Sequence, residues 1–378
     1  MLKAIVNRDV LDTSYHFALL RGLAELAVEF DHLARRRNNN QVTLPLGLLV
    51  LKWVLYYFPI VDQDLPQTIA EGSAANKQSQ LHFQAGLKKL TAYYAGRGGY
   101  AAFYTDLTQG GIGADISREL IIVLRQIRDA IEETMLQAKP IPATKKYPLL
   151  VYNRDTRHIM EVTSPARINP EFLVQNFGTF NIRRNLYEAL RNFADFLTGT
   201  GSIINRWALF SSHACASRPV AVNHALSVIA TPVLNQHDTS RVRKLYEEIA
   251  GHGVDLRCVW SGRALNKTNM VIDHVIPFSL IPNNDLWNLM PCHKTINTRK
   301  GNRITDPGLL AVRSEVLVDY WAVARDFYQS LFDRQFRTSL VGFEVKNYEI
   351  KWADAGLSAL KDRCRFYIEQ QGMKGWNV

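Results

Sequence analysis

The sequence is poor in cysteine, with only Cys215, Cys258, Cys292 and Cys364 among 378 residues. Secreted proteins that depend on disulfides usually carry more cysteines, at closer and more regular spacings. The residues that follow Met1 also lack the apolar core of a signal peptide. These two absences predict a protein of the reducing cytoplasm.

Long apolar runs without charge are lacking as well. The segment at residues 44–61 comes closest, but Lys52 lies near its middle. Because a charge at the centre of a bilayer is costly, we predict a buried helix here and expect no membrane partner. The glycine clusters at residues 96–99 and 110–113 are not followed by the Gly-Lys-Ser/Thr of a phosphate-binding loop. The sequence therefore does not predict that kind of nucleotide site.

What the sequence does contain is an excess of positive charge. It has 45 Lys and Arg residues against 35 Asp and Glu, a formal net charge of +10. Such a balance fits a polyanionic partner, although charge alone does not distinguish nucleic acid from a membrane surface. Apolar residues make up 47% of the chain and charged residues 21%, which is typical of soluble globular proteins. The length allows two or three domains.

The pattern of apolar residues predicts a mostly α-helical protein of the α+β class. One helix is predicted at residues 11–37, ending in three arginines, and residues 171–210 are predicted to be helical. Residues 139–144 resemble a linker. The predicted regions are a helical N-terminal domain at 1–138, a mixed helical and strand region at 139–235, a core at 236–310, and C-terminal helices at 311–378 that pack on that core.

One segment of the predicted core carries a pattern of chemical interest. Asp273 and His274 end a short apolar run, which is typical of a β-strand. A second apolar run at residues 286–290 includes Asn288, and the polar segment at residues 292–300 can form a helix that includes Asn297. The predicted order is strand, loop, strand and helix.

These residue types suit the hydrolysis of a phosphodiester with one metal ion. Mg²⁺ prefers oxygen ligands and keeps several waters, so a carboxylate from Asp273 and an amide carbonyl from Asn297 are suitable ligands. His274 supplies a base with a pKa near neutrality that can take a proton from the attacking water.

The segment at about residues 254–305 resembles the HNH, or ββα-metal, endonuclease family. It is most similar to the Asp-His variant found in CRISPR effector nucleases and in many bacterial defence proteins. The resemblance implies that His274 is the general base, that Asp273 and Asn297 bind one Mg²⁺ or Mn²⁺, and that Asn288 orients the His274 ring.

The resemblance also implies residues that contact the nucleic acid. Lys300 lies three residues after Asn297 and would meet a phosphate from the same face of the helix. Arg299 and Arg303 are further candidates for contacts to the DNA backbone, with solvated surface charge as the alternative interpretation.

The segment departs from the family at the structural zinc, which many members bind through two Cys-x-x-Cys pairs. Here Cys258 pairs with Ser261, and His293 and Ile296 occupy the second pair of positions, with Cys292 one residue out of register. Structural zinc needs four ligands, nearly always Cys or His. We therefore predict that apolar packing replaces the zinc.

Taken together, the residues and the resemblance predict a C-terminal ββα-metal (HNH) nuclease core flanked by helical regions. The expected activity is cleavage of double-stranded DNA that depends on Mg²⁺ or Mn²⁺, with one strand cut per encounter. The alternatives are a catalytically silent DNA-binding or scaffold subunit and an RNA nuclease. The N-terminal half is similar to those of bacterial defence nucleases such as the HNH subunit of Zorya-type anti-phage systems, which implies partner proteins in such a system.

Overall fold

The computed structural model of the protein describes residues 13–37, 40–69, 81–137, 150–153, 168–194, 203–215, 218–230, 239–281, 283–342, 345 and 347–378. The predicted linker at residues 139–144 lies outside this part of the chain. The chain forms two compact units, Met1–Val233 and Leu234–Val378. The first unit takes in most of the regions predicted at 1–138 and 139–235, and the second takes in those predicted at 236–310 and 311–378. Within the described ranges, no helix has both the length and the apolar character needed to cross a membrane.

The first unit is mostly helical, as predicted. Its helices are α1 (Tyr15–Glu29), α2 (Leu46–Asp62), α3 (Gln84–Ala95), α4 (Gly99–Gln109), α5 (Ala114–Gln137), α6 (Pro170–Asn176), α7 (Arg184–Asn192), α8 (Ile203–His213) and α9 (Val222–Ile229). Its strands are β1 (Arg35–Arg37), β2 (Gln41–Pro45), β3 (Leu150–Asn153) and β4 (Thr179–Arg183), which form one antiparallel sheet in the order β1-β2-β4-β3.

Helix α2 lies at the centre of the first core, and the prediction of a buried helix at residues 44–61 is confirmed. Nearly all of its side chains are apolar and buried, so the helix is covered on every side. At Gly47, a Cβ atom would lie 2.0 Å from the backbone oxygen of Leu173 in α6, so only glycine allows this close packing. The one charged side chain in the middle of α2, Lys52, is neutralised by Glu25 and Glu29 of α1.

Two predictions for the first unit were wrong. The helix expected at residues 11–37 ends at Glu29, and the three arginines form strand β1. They pair with residues 41–43, and Asn40, directly before β2, has a φ of 58°. The helix expected at residues 171–210 is interrupted by β4, which pairs with β2 along its whole length. In the first place a local hairpin with β2 overrides the preference for helix, and in the second the pairing with a strand distant in sequence does so.

The second unit combines a small hairpin with helices. Its helices are α10 (Ser240–Gly251), α11 (Lys294–Lys300), α12 (Pro307–Val312), α13 (Ser314–Phe336) and α14 (Tyr348–Glu369), with a short 3₁₀ helix at Leu286–Asn288 and a π-helical turn at Arg337–Val341. Its strands are β5 (Met270–His274), β6 (Leu289–His293), β7 (Ile304–Thr305) and β8 (Gly375–Trp376). Strands β5 and β6 are antiparallel, and α11 begins directly after β6.

Candidate active site

Asp273 and His274 are the last two residues of β5, where they lie opposite Met290 and Leu289 of β6. Successive side chains of a strand point to opposite faces, so Asp273 and His274 project into different parts of the interior. Both side chains are buried, with exposures of 4% for Asp273 and 5% for His274. The hairpin therefore brings an acid and a histidine into an interior where polar groups must find partners.

The Asp273 carboxylate accepts one hydrogen bond on each oxygen. The indole Nε1 of Trp260 donates to Oδ2 at 2.6 Å, and the ammonium of Lys300 donates to Oδ1 at 3.1 Å. Burial raises the pKa of this carboxyl group above its ordinary value, and it outweighs the opposing effects of the Lys300 charge and the Trp260 hydrogen bond.

The His274 ring is held by the loop that connects β5 to the 3₁₀ helix. Its Nε2 lies 3.2 Å from Oδ1 of Asn284, and its ring meets Phe278 edge-on at a centroid distance of 5.4 Å. Because an amide oxygen only accepts hydrogen bonds, Nε2 carries the proton in this arrangement. Asn284 was not predicted, since a polar residue in a loop gives no sign of which side chain it will meet.

Asn288 is the last residue of the 3₁₀ helix, directly before β6, and is fully buried. Its side-chain oxygen accepts from the backbone N–H of Ile276 at 2.8 Å, and its amide nitrogen donates to the carbonyl oxygen of the same residue at 3.1 Å. The backbone oxygen of Asn288 accepts from Val275 at 2.8 Å. These bonds fix the chain just after His274, which is the arrangement that an orienting residue requires.

Helix α11 supplies the remaining residues. The side chain of His293 caps its N-terminus by accepting from the backbone N–H of Thr295, and Gly301, with a φ of 55°, ends it. Asn297 is half-buried, and no hydrogen-bond partner of its side-chain amide is found among the described residues. Asn297 therefore keeps its carbonyl oxygen available as a ligand.

The structure corrects the prediction that Lys300 contacts a phosphate. Its side chain is 1% exposed and points into the interior, where it donates to Asp273 and to the backbone oxygen of His274. Arg303 is exposed, but its guanidinium folds back onto the carbonyl oxygens of Arg299 and Lys300 at the end of α11. Arg299 is exposed, so of the three predicted DNA-binding cations it is the one best placed to meet a phosphate.

The residues at the zinc positions do not fit a four-coordinate zinc site. Cys258 and Cys292 are buried free thiols with their sulfur atoms 3.7 Å apart. Ile296 is an apolar side chain with 2% exposure, and the Nδ1 atom of His293 is engaged with Thr295. Two thiols without two further donors fall short of the ligand set that zinc requires.

Side chains from the C-terminal helices hold the turn at residues 257–262 instead. The guanidinium of Arg313 donates to the carbonyl oxygens of Val259, at 2.6 Å, and Cys258, at 3.3 Å. The hydroxyl of Tyr320 donates to the carbonyl oxygen of Arg257 and accepts from its N–H. Polar contacts from α13 and the residue before it thus supplement the apolar packing that the sequence predicts.

The residues at the hairpin and α11 fit a cation that prefers oxygen. A carboxylate offers about four lone pairs, and Asp273 uses one on each oxygen, which leaves a second one on each. The described residues contain no group of three or more His, Cys, Asp or Glu side chains arranged around a metal site. An Asp273–Asn297 pair completed by water needs no such group and suits Mg²⁺.

Comparison with known proteins identifies two regions. A family model described as a domain of unknown function (DUF8808) matches residues 1–229, and a model described as HNH endonuclease matches residues 258–305. Neither curated proteins nor solved structures gave a match. The second match covers β5, β6 and α11, and the first covers more than half of the 378 residues. The chain therefore belongs to the DUF8808 family and carries an HNH endonuclease segment in its second unit.

Proposed function

We propose that the protein is a metal-dependent DNA endonuclease whose ββα-metal core consists of β5, β6 and α11. The observation that carries this proposal is that Asp273, His274, Asn288 and Asn297 all lie on this one short hairpin and helix, within the segment that matches the HNH endonuclease model. Together they supply a base, a residue that fixes it, and two oxygen ligands.

In the proposed mechanism, His274 takes the proton from the attacking water. Its Nε2 lies 3.2 Å from Oδ1 of Asn284, and the ring becomes doubly protonated when it takes the proton from water. Asn288 holds the backbone after His274 and thereby limits the movement of the ring. Asp273 and Asn297 would hold the divalent cation, Mg²⁺ or Mn²⁺, which stabilises the charge that develops on the phosphate.

The substrate proposed is double-stranded DNA. The net charge of +10 and the exposed Arg299 support a polyanion. One base and one metal site cut one strand per encounter, so the proposed product is a nick. A role in bacterial anti-phage defence, with partner proteins in the cytoplasm, is proposed on the resemblance alone.

The first prediction tests the chemistry. Purified protein with Mg²⁺ or Mn²⁺ is expected to convert supercoiled plasmid into open circles before linear DNA appears, and chelator should stop the reaction. His274→Ala should slow nicking about 100-fold or more, because a general base contributes at least this much. His252→Ala, which changes an exposed histidine of the same unit, serves as the control and should cleave at the parental rate.

Three results would contradict this proposal in different ways. Equal nicking by His274→Ala and the parent would remove His274 from the reaction. DNA binding without cleavage would support the catalytically silent alternative, which one observation favours: the Asp273 carboxylate is already neutralised by Lys300. Faster cleavage of a matched RNA duplex would make the protein an RNA nuclease.

A further inference from the structure

Trp260 has a contact that connects the turn at residues 257–262 with the candidate metal ligand. Its ring is 2% exposed, and its Nε1–H is directed at Oδ2 of Asp273 at 2.6 Å. An indole N–H can only donate, and a buried carboxylate needs donors, so the two groups satisfy each other.

The position of the Trp260 ring is itself fixed by the residues around it. The backbone N–H of Gly262 donates to the carbonyl oxygen of Cys258 at 2.8 Å, which closes the turn, and that of Val259 donates to Pro291 of β6 at 3.0 Å. The ring packs edge-on against Trp376, with centroids 6.1 Å apart. The indole therefore has little freedom to follow a moving carboxylate.

The other carboxylate oxygen of Asp273, Oδ1, is held by a residue of helix α11. Lys300, at the end of α11, donates to Oδ1 at 3.1 Å and also to the backbone oxygen of His274. Because Lys300 and Asn297 are three residues apart on one helix, this tether also fixes the distance between α11 and β5. The carboxylate is thus held at both oxygens by residues from two separate elements.

We infer that Trp260 and Lys300 are positioning residues that hold the Asp273 carboxylate in one orientation, with the second lone pair of each oxygen left for a divalent cation. This inference rests on the proposed function. In this proposal the turn at residues 257–262, which has no zinc site, places the Trp260 indole where it orients the metal ligand Asp273. Residues that orient a ligand in this way typically change metal affinity or activity by about 10- to 100-fold when they are removed.

The second prediction tests this inference through metal binding without DNA. Trp260→Phe keeps most of the ring but removes the N–H donor. The dissociation constant for Mn²⁺, measured on the full chain by electron paramagnetic resonance of the free ion, is expected to rise about 10- to 100-fold. Asp273→Asn gives the reference for loss of the ligand itself.

Trp321→Phe provides the matched control. Trp321 is fully buried in the same unit, and its indole N–H donates to the carbonyl oxygen of Trp287 at 2.8 Å rather than to Asp273. Both variants lose one buried indole hydrogen bond, so both should lose thermal stability in chelator. Only Trp260→Phe should bind Mn²⁺ more weakly. If Trp260→Phe does not fold, the benzothienyl analogue of tryptophan at position 260 removes the same donor while it keeps the ring shape.

The possible outcomes separate this inference from the proposed function. Parental Mn²⁺ affinity in the Trp260 variant, with metal binding and nicking intact in the parent, would overturn the positioning role and leave the nuclease standing. Equal weakening in Trp260→Phe and Trp321→Phe would also overturn it, since the effect would then follow from general destabilisation. A parent chain that binds no Mn²⁺ would overturn both.

Discussion

At the scale of single residues, what could be predicted depends on separation along the chain. The sequence alone could identify four candidate site residues, because they form a pattern within one short segment: Asp273, His274, Asn288 and Asn297. The bond from Trp260 to Asp273 could not be predicted, because it depends on how a turn folds back onto the hairpin. The same limit explains Lys300, whose sequence position gives its helix face but not whether that face is buried.

The third prediction separates the tasks of Lys300 and Arg299. Lys300→Met leaves the buried Asp273 carboxylate without its counter-charge, so the free energy of unfolding should fall by about 3–5 kcal/mol. Arg299→Ala removes an exposed cation and should leave stability nearly unchanged. Its effect should appear in DNA binding, as a decrease of about 1 in the slope of log K against log salt.

Urea unfolding and DNA-binding titrations at several salt concentrations measure both quantities. A lower salt slope for Lys300→Met at parental stability would contradict the buried position of its side chain.

At the scale of elements, the C-terminal helix α13 bonds to the backbone of the second unit at two places outside the candidate metal ligands. Its Trp321 and Gln335 form hydrogen bonds with the backbone of Trp287 and Leu286, in the 3₁₀ helix before β6. Arg313, which precedes the helix, and Tyr320 bond to the turn at residues 257–262. The sequence predicts the apolar faces of these helices, but not which carbonyl oxygens their polar side chains meet, because those partners are set by tertiary packing.

The fourth prediction concerns this replacement for zinc. Arg313→Ala leaves two carbonyl oxygens of the turn without their charged donor, which should lower the free energy of unfolding by about 1.5–3 kcal/mol. Glu315→Ala, at an exposed position on α13, should change it by no more than about 0.5 kcal/mol.

Chelator should have no effect on the stability of the parent chain, and elemental analysis should find far less than one zinc per chain. A tightly held zinc would show that the turn is a metal site in spite of its residues.

At the scale of the whole molecule, the chain divides into two compact units, and each of them pairs charges in its interior. The first unit holds the half-buried Glu25 against the buried Arg21 and Lys52 of α1 and α2. Burial alone would raise the pKa of Glu25, but the charges of Lys52 and Arg21 outweigh it and lower the pKa to about 2. The apolar pattern predicts that these helices pack, whereas the pairing of their charges appears only in three dimensions.

The fifth prediction gives the pH dependence that follows. A folded pKa below the unfolded value means that Glu25 stabilises the first unit above about pH 4.3 and that this contribution is lost as the pH falls towards 2. Glu25→Gln should therefore destabilise the first unit by about 3–5 kcal/mol at pH 7. The difference between parent and variant should shrink as the pH falls from about 5 to 2. A difference in thermal unfolding that does not change over this pH range would contradict the ion network.

The pairing of β7 with β8 sets a limit on transplanting the nuclease segment into other proteins. Ile304 and Thr305, at the end of the segment that matches the HNH endonuclease model, pair in parallel with Gly375 and Trp376 near the end of the chain. A graft of residues 258–305 alone would lose this strand, the ring that packs on Trp260, and the helix that holds its turn. A portable nuclease segment made from this protein must therefore extend at least from the turn at residues 257–262 through Trp376.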